Sequence, residues 1–386
     1  MKIALVTDRI GPLAEYGAAD VLAAPLAGAL AGRGHQVTLF ATGFGVDPPP
    51  GVEAVLLRGA CAPAGGDPFV LLPESGTALA ARWSADPPDV IHALSWTAGL
   101  TALAAVRDAG GRHIALVQSF DGGLCPRDTP DSAGRARLEA AIARSAALIV
   151  ARSTEEVTEL TRLGLPRSAV TVIPCGVDTA QFSPEGPAAP RTGRQRVVAL
   201  GPLDAEYGAD LAIRALRRAP HAELVVVGGP PARDLPTDPR AGRLSEEVVR
   251  CRVGDRVRLV GVVPDAKLPE LLRSADVAVC SGTSEPCGAL ALAAMACGVP
   301  VLASAVGALA DMVAEGATGV LVPPRQPEAF MTALHDLLGD PTKLAGYRIG
   351  AADRARARYR WDRVAADTEA AYRRVRTPDA TAAAIG

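Results

Sequence analysis

Short apolar runs that alternate with helical stretches, twice over in one chain, constrain this sequence more than any other feature. In the first half the runs are KIALVTD, QVTLFAT, VEAVLL, DVIHAL, HIALVQSF, ALIVAR and VTVIPCG, with a helix expected over about 19–33. Strands that alternate with helices form a parallel sheet covered on both faces, because each crossover helix must lie against the sheet it reconnects. The stretch QFSPEGPAAPRTGRQ, residues 181–195, breaks the pattern with Pro, Gly and charge and reads as a linker. The pattern then restarts with RVVALG at 196–201, a helix over 208–218, AELVVVGG, RVRLVG, a helix at 267–274, DVAVCSG, a helix at 288–297, VPVLAS and GVLVPP. Helices near 327–338 and 342–358 close it.

The expected fold is therefore α/β, two Rossmann-like domains facing across a cleft, with residues 1–180 in the first and 190–360 in the second. A length of 386 residues agrees, since single cores stop growing near roughly 250–300 residues. A last helix over 361–375, WDRVAADTEAAYRRV, follows the second domain and is expected to cross back to the first. Although 49% of the residues are hydrophobic, their runs fall short of the ~18 that a membrane span requires. No membrane span is expected. The opening MKIALVTD reads as a buried first strand and not as a signal peptide, which predicts a cytoplasmic protein. With 40 basic against 42 acidic residues the net charge is −2, and no global field gathers nucleic acid, which is not expected as a partner. Seven cysteines, scattered without a CxxC pair or a histidine at ligand spacing, point to neither a disulfide framework nor a metal site.

In open parallel sheets ligands bind beyond the carboxyl ends of the strands, so the residues that follow each strand are the candidates. After the first strand comes RIGPLAEYGAAD, where Gly17 either makes a tight turn or lets the backbone approach a ligand. HIALVQSFDGG places Asp121 at a strand end, as a turn residue or a site carboxylate. RVVALGPLDAEYG brings Pro202 and Tyr207 to the first crossing of the second domain, where neither can neutralise a phosphate. The sharpest element is SGTSEPCGALALAAMACGVPVLAS. There a strand delivers Glu285, and Gly288 with Ala289 opens a helix whose free N–H groups can hold an anion. Glu285 is read as a ligand for the hydroxyls of a polar molecule, with simple helix capping as the alternative.

Taken in order, RGHQVTLFATG, VQSFDGG, VTVIPCGVDTAQFSP, AELVVVGGPP, RVRLVGVVP, LPELLRSADVAVCS, EPCGALALAAMACGVPVLASAVGALADMV and YRWDRVAADTEAAYRRV cover nearly the whole chain. This series resembles the group 1 glycosyltransferases of family four, retaining enzymes of the GT-B architecture. The resemblance implies transfer of a sugar from a nucleotide sugar to a small-molecule acceptor, with the nucleotide on the second domain, the acceptor on the first and no further cofactor. It also implies roles for particular positions, several of which depart from the family's pattern. Ala18, Ala19 and Asp20 follow Gly17 where a glycine and a polar pair are expected, and Asp121 stands where a donor-contacting histidine is usual. Pro202 and Tyr207 replace the Arg and Lys that grip the donor diphosphate. Glu285 retains the first glutamate of a pair, whereas Ala293 replaces the second, which would hold the ribose.

Three functions remain open on this reading. The first is a retaining transferase in which Glu285 binds the donor sugar and the donor phosphate takes the acceptor proton. The second is a degenerate homologue that serves as a binding subunit, with an active glycosyltransferase as its partner. The third is altered chemistry in the same cleft: a pseudo-glycosyltransferase joining cyclitol units in secondary metabolism, or a reaction run by Asp121 and Glu285.

Overall fold

The computed structural model describes residues 1–11, 18–57, 72–110, 114–120, 123–124, 132–285 and 287–376. The chain divides into two units, and the division falls between Pro174 and Cys175, a few residues before the expected end at 180.

The first unit contains the strands β1 (Lys2–Ile10), β2 (Gln36–Phe44), β3 (Val52–Leu56), β4 (Val90–Ala93), β5 (Ala115–Gln118), β6 (Leu148–Ala151) and β7 (Val170–Val172). They form one sheet of seven strands in the order β3-β2-β1-β4-β5-β6-β7. Every pairing in it is parallel. The helices are α1 (Ala18–Gly32), α2 (Leu72–Ala85), α3 (Trp96–Asp108), α4 (Ser132–Ser145) and α5 (Thr154–Arg162). Local chemistry starts α3 where it does: Ser95 is extended and its hydroxyl accepts the Ala98 amide at 3.0 Å, which satisfies one of the orphan donors of a first turn.

The second unit contains β8 (Gln195–Leu200), β9 (Ala222–Val227), β10 (Val257–Gly261), β11 (Val277–Cys280), β12 (Val301–Ser304) and β13 (Gly319–Val322). Their order is β10-β9-β8-β11-β12-β13, again parallel throughout. The helices are α6 (Ala209–Ala215), α7 (Pro239–Cys251), α8 (Leu268–Arg273), α9 (Ala289–Ala296), α10 (Gly307–Met312), α11 (Pro327–Leu338) and α12 (Pro341–Arg358). Both α7 and α12 begin with an aspartate cap followed by proline at the first helical position, where a missing N–H costs nothing. The Pro-rich stretch read as a linker is not free of this unit. The Val177 amide donates to the Tyr359 carbonyl at 2.7 Å, Phe182 is buried, and Arg273 donates to the carbonyls of Ser183 and Pro187.

The last helix, α13 (Trp361–Arg376), belongs to the first unit. Val364, Ala365, Ala371 and Tyr372 enter the same core as Ala23, Leu26 and Ala27 of α1. Its anchor is polar. The Tyr372 hydroxyl lies 2.7 Å from His92 Nδ1, and His92 Nε2 lies 2.8 Å from Ser119 Oγ, all three side chains being buried. Burial, followed by the nearby Arg152 charge, holds His92 well below its ordinary value, so the ring is neutral and each nitrogen has a hydroxyl to pair with. Among the described residues no helix is long and apolar enough to cross a membrane.

Candidate functional site

In the second sheet the strand order reverses between β8 and β11, and the loops leaving the carboxyl ends of these two strands are pressed together. The Thr283 amide donates to the Glu206 carbonyl at 2.7 Å, and Ser281 Oγ donates to the Gly208 carbonyl at 2.7 Å. Gly208 has φ +75°, and a Cβ there would lie 2.3 Å from the Ser281 carbonyl oxygen, so no other residue allows this approach. The β8 loop therefore runs from Gly201 through Pro202, Leu203 and Asp204 to the short 3-10 turn Ala205–Tyr207 with its far end clamped on the β11 loop.

Glu285 sits in that second loop, half-buried. Its Oε1 accepts the Gly288 amide at 2.8 Å, and the Cys287 amide also reaches the carboxylate. Burial pushes this carboxyl above its ordinary range, and the two amides offset only part of the shift. The main chain of Glu285 is held as well: its carbonyl accepts the Ala308 amide at 2.9 Å, beside Gly307, where a Cβ would stand 2.1 Å from the same oxygen. The structure thus brings Glu285 and Gly288 together by having the carboxylate cap α9. The Gly288 amide, expected to be free for an anion, is engaged by Glu285, because a half-buried carboxylate takes the nearest donors.

Tyr207 faces the same group of acids. Burial, then the charges of Glu206, Glu285 and Asp204, push its hydroxyl up to about 12. At neutral pH it is a phenol, able to donate a hydrogen bond but carrying no charge. Pro202 is half-buried and Ala289 is half-buried at the first position of α9. Ala293 is fully buried within that helix. Replacing it with glutamate would crowd a filled site and bury a carboxylate, so Ala293→Glu is expected to lower stability by about 1–3 kcal/mol. Urea unfolding checks this, and a variant as stable as the parent would show that the position opens readily.

Gly17 and Asp121 lie outside the described residues, as does the side chain of Asp20. The first unit nevertheless shows a polar cluster at its own switch point, between β1 and β4. Thr97 Oγ1 lies 2.6 and 2.5 Å from the two carboxylate oxygens of Asp8, and Ser95 Oγ lies 2.9 Å from Thr97 Oγ1. Thr97 has one proton and gives it to Asp8, so Ser95 donates to Thr97 and a directed chain of three groups results. Sequence reasoning passed over Asp8, Ser95 and Thr97. Asp8 closes the run KIALVTD, and Ser95 and Thr97 follow DVIHAL within three residues, which was the available signal.

Two doubly wound parallel sheets, each with polar side chains gathered at its switch point, are the arrangement of the GT-B architecture. Residues 186–354 match the model of the glycosyl transferases group 1, and residues 19–181 match that of glycosyltransferase family 4. The chain belongs to the group 1 glycosyltransferases. It is 32% identical to a D-inositol 3-phosphate glycosyltransferase of Xylanimonas cellulosilytica, an alignment that covers 95% of this chain and 94% of the relative. The corresponding protein of Stackebrandtia nassauensis is 31% identical, with 96% and 91% covered. Among solved structures, sucrose-phosphate synthase from Thermosynechococcus elongatus superposes with a TM-score of 0.84 at 23% identity, covering 97% of this chain and 99% of that one. Anabaena HepE in complex with UDP and glucose gives a TM-score of 0.77 at 20% identity, covering 96% and 99%.

Proposed function

We propose that this transferase moves a sugar from a nucleotide-activated donor to a small phosphorylated polyol with retention of configuration. The donor is held by the second unit at the carboxyl ends of β8 and β11, and the acceptor is held by the first unit. The observation that carries this reading is Glu285: a half-buried carboxylate at the switch point, its main chain fixed by Ala308 and its oxygens directed by the amides of Cys287 and Gly288. Such a group accepts hydrogen bonds from sugar hydroxyls without needing to move. The acceptor oxygen forms a bond to the anomeric carbon as the bond from that carbon to the diphosphate breaks, and the acceptor proton passes to the departing phosphate. The names of the relatives, D-inositol 3-phosphate glycosyltransferases, support an inositol phosphate as acceptor class. HepE in complex with UDP-glucose supports a nucleotide sugar as donor.

A second reading is favoured by one observation: the positions of Pro202 and Tyr207 carry no cation, and the charges of Glu206, Glu285 and Asp204 bear on Tyr207. On that reading the chain is a binding subunit without transfer activity. The two are separated by incubating the protein with UDP-, GDP- and ADP-sugars and inositol phosphates, then following nucleoside diphosphate release and new glycoside by mass spectrometry. The transferase reading expects release that depends on acceptor, with the donor's anomeric configuration kept in the product by NMR. Donor left intact with every acceptor supports the binding subunit.

A further inference from the structure

The β8 loop that carries Pro202 and Tyr207 is touched by two arginines of α7, 36 and 40 positions further along the chain than their partners. They differ in how they are neutralised. Arg240 is paired with Asp238 at 2.8 Å and lies 3.3 Å from Asp204, so its charge is balanced by two carboxylates. Arg243 donates through Nη2 to the Leu203 carbonyl at 2.7 Å, and among the described residues this is its single hydrogen bond. No carboxylate of the described residues lies within ion-pair distance of it. A guanidinium has five N–H donors in a fixed plane and never loses its proton in a protein, so a carbonyl at one corner leaves its charge and most of its donors unused. The side chain is half-buried, which weakens the screening that an exposed arginine would have.

The residue that anchors Arg243 has its side chain in the core. Leu203 is buried in the core of the second unit, and its side chain packs so close to Gly229 that a Cβ there would meet it at 2.5 Å. Its peptide neighbours are Pro202 and Asp204, in the loop at the switch point where a ligand of this fold binds.

We infer that Arg243 supplies the cation for the donor's diphosphate, in place of a basic residue on the β8 loop itself. The inference rests on the transferase reading above for the identity of the ligand. It deepens that reading by locating the charge in α7, where the family resemblance gave no reason to look. Arg240 shields Asp204 from the same phosphates and is a positioning residue on this account.

The test is titration with UDP, GDP and ADP by calorimetry, at low and at high salt, of the parent protein and of Arg243→Gln, Arg243→Lys and Arg250→Gln. Arg250 lies in the last turn of the same helix and serves as the charge control. The expected result is that Arg243→Gln weakens binding of the preferred diphosphate at least about tenfold and flattens its salt dependence, as loss of one charge-assisted contact requires. Arg243→Lys should recover part of the loss, since it restores the charge without the planar fork, and Arg250→Gln should bind as the parent does. If Arg243→Gln lowers the melting temperature, the comparison of Arg243→Lys with the parent carries the test through its retained salt dependence. Diphosphate binding that is equal in the parent and Arg243→Gln would overturn the inference and leave the transferase reading standing. Absence of binding to all three diphosphates in every protein would overturn both.

Discussion

The double substitution Pro202→Arg with Tyr207→Lys is expected to tighten nucleoside diphosphate binding at least tenfold over the parent and to steepen its salt dependence. Each charge-assisted contact to a phosphate is worth about 1.5–3 kcal/mol, so two new cations have an upper range of roughly 10² to 10⁴-fold. The surroundings favour the added charges. Glu206, Glu285 and Asp204 already bear on position 207, where they push the Tyr207 hydroxyl up to about 12, and the same field keeps a lysine protonated. The loop can accept the change because its turns rest on Gly201 and Gly208, both at positive φ, and not on the tyrosine ring. Calorimetric titration with UDP and GDP at two salt concentrations measures the effect. A gain below tenfold in a variant that melts like the parent would mean that positions 202 and 207 do not border the diphosphate.

A comparably large effect is expected on stability from Arg196→Met. Arg196 is the most enclosed charge in the second unit, 1% exposed. Its Nε donates to Glu223 Oε1, its Nη1 to Ser274 Oγ and its Nη2 to the Pro190 carbonyl, each at 2.7 Å. One side chain thus joins β8, β9, the end of α8 and the Pro-rich stretch before the sheet. Removing it leaves Glu223 buried with the Thr192 hydroxyl and the more distant Arg258 charge, and breaking a buried pair from one side costs about 3–5 kcal/mol. The pair also has a pH signature. Burial by itself would raise the Glu223 carboxyl, but hydrogen bonds from Thr192 and Arg196 outweigh it and hold the group below its ordinary 4.5. A depressed folded value means stability that is present above 4.5 and is lost as pH falls through the folded value. Urea unfolding of Arg196→Met should show the loss at pH 7, and the double variant Arg196→Met with Glu223→Met should regain much of it, since no charge is then left unpaired. A single variant within 1 kcal/mol of the parent would contradict this account of the core.

The architecture was legible because its signal is local and repeated. Each buried strand announces itself as an apolar run, and α11, expected over 327–338, spans Pro327–Leu338 because proline marks its start and Gly339 follows its end. The stretch around 181–195 shows the limit of such reading. Pro and Gly report the absence of a regular ladder but not the absence of contacts, and Phe182 and Arg273 tie part of that stretch to the second unit. Of the candidate site, one contact was legible. Glu285 and Gly288 stand three residues apart, and their pairing follows from a carboxylate placed just before a helix. What a single sequence could not reveal was how deeply the carboxylate is buried, which raises its pKa against the two amides. Arg243 is 40 positions from Leu203, Thr97 is 89 from Asp8, and Tyr372 is 280 from His92. Such pairs are made by strand order, and no local pattern of residues encodes them.

In the proposed function the donor nucleotide is held at the carboxyl ends of β8 and β11, with its sugar toward Glu285. A crystal structure of the chain with UDP bound tests that most directly. The account predicts the diphosphate beside the loop from Gly201 to Gly208, within hydrogen-bond distance of Arg243, and open space for a sugar on the Glu285 side. UDP bound at any other place in the chain, or a saturated crystal in which Arg243 still meets only the Leu203 carbonyl and no nucleotide occupies the switch point, would contradict it.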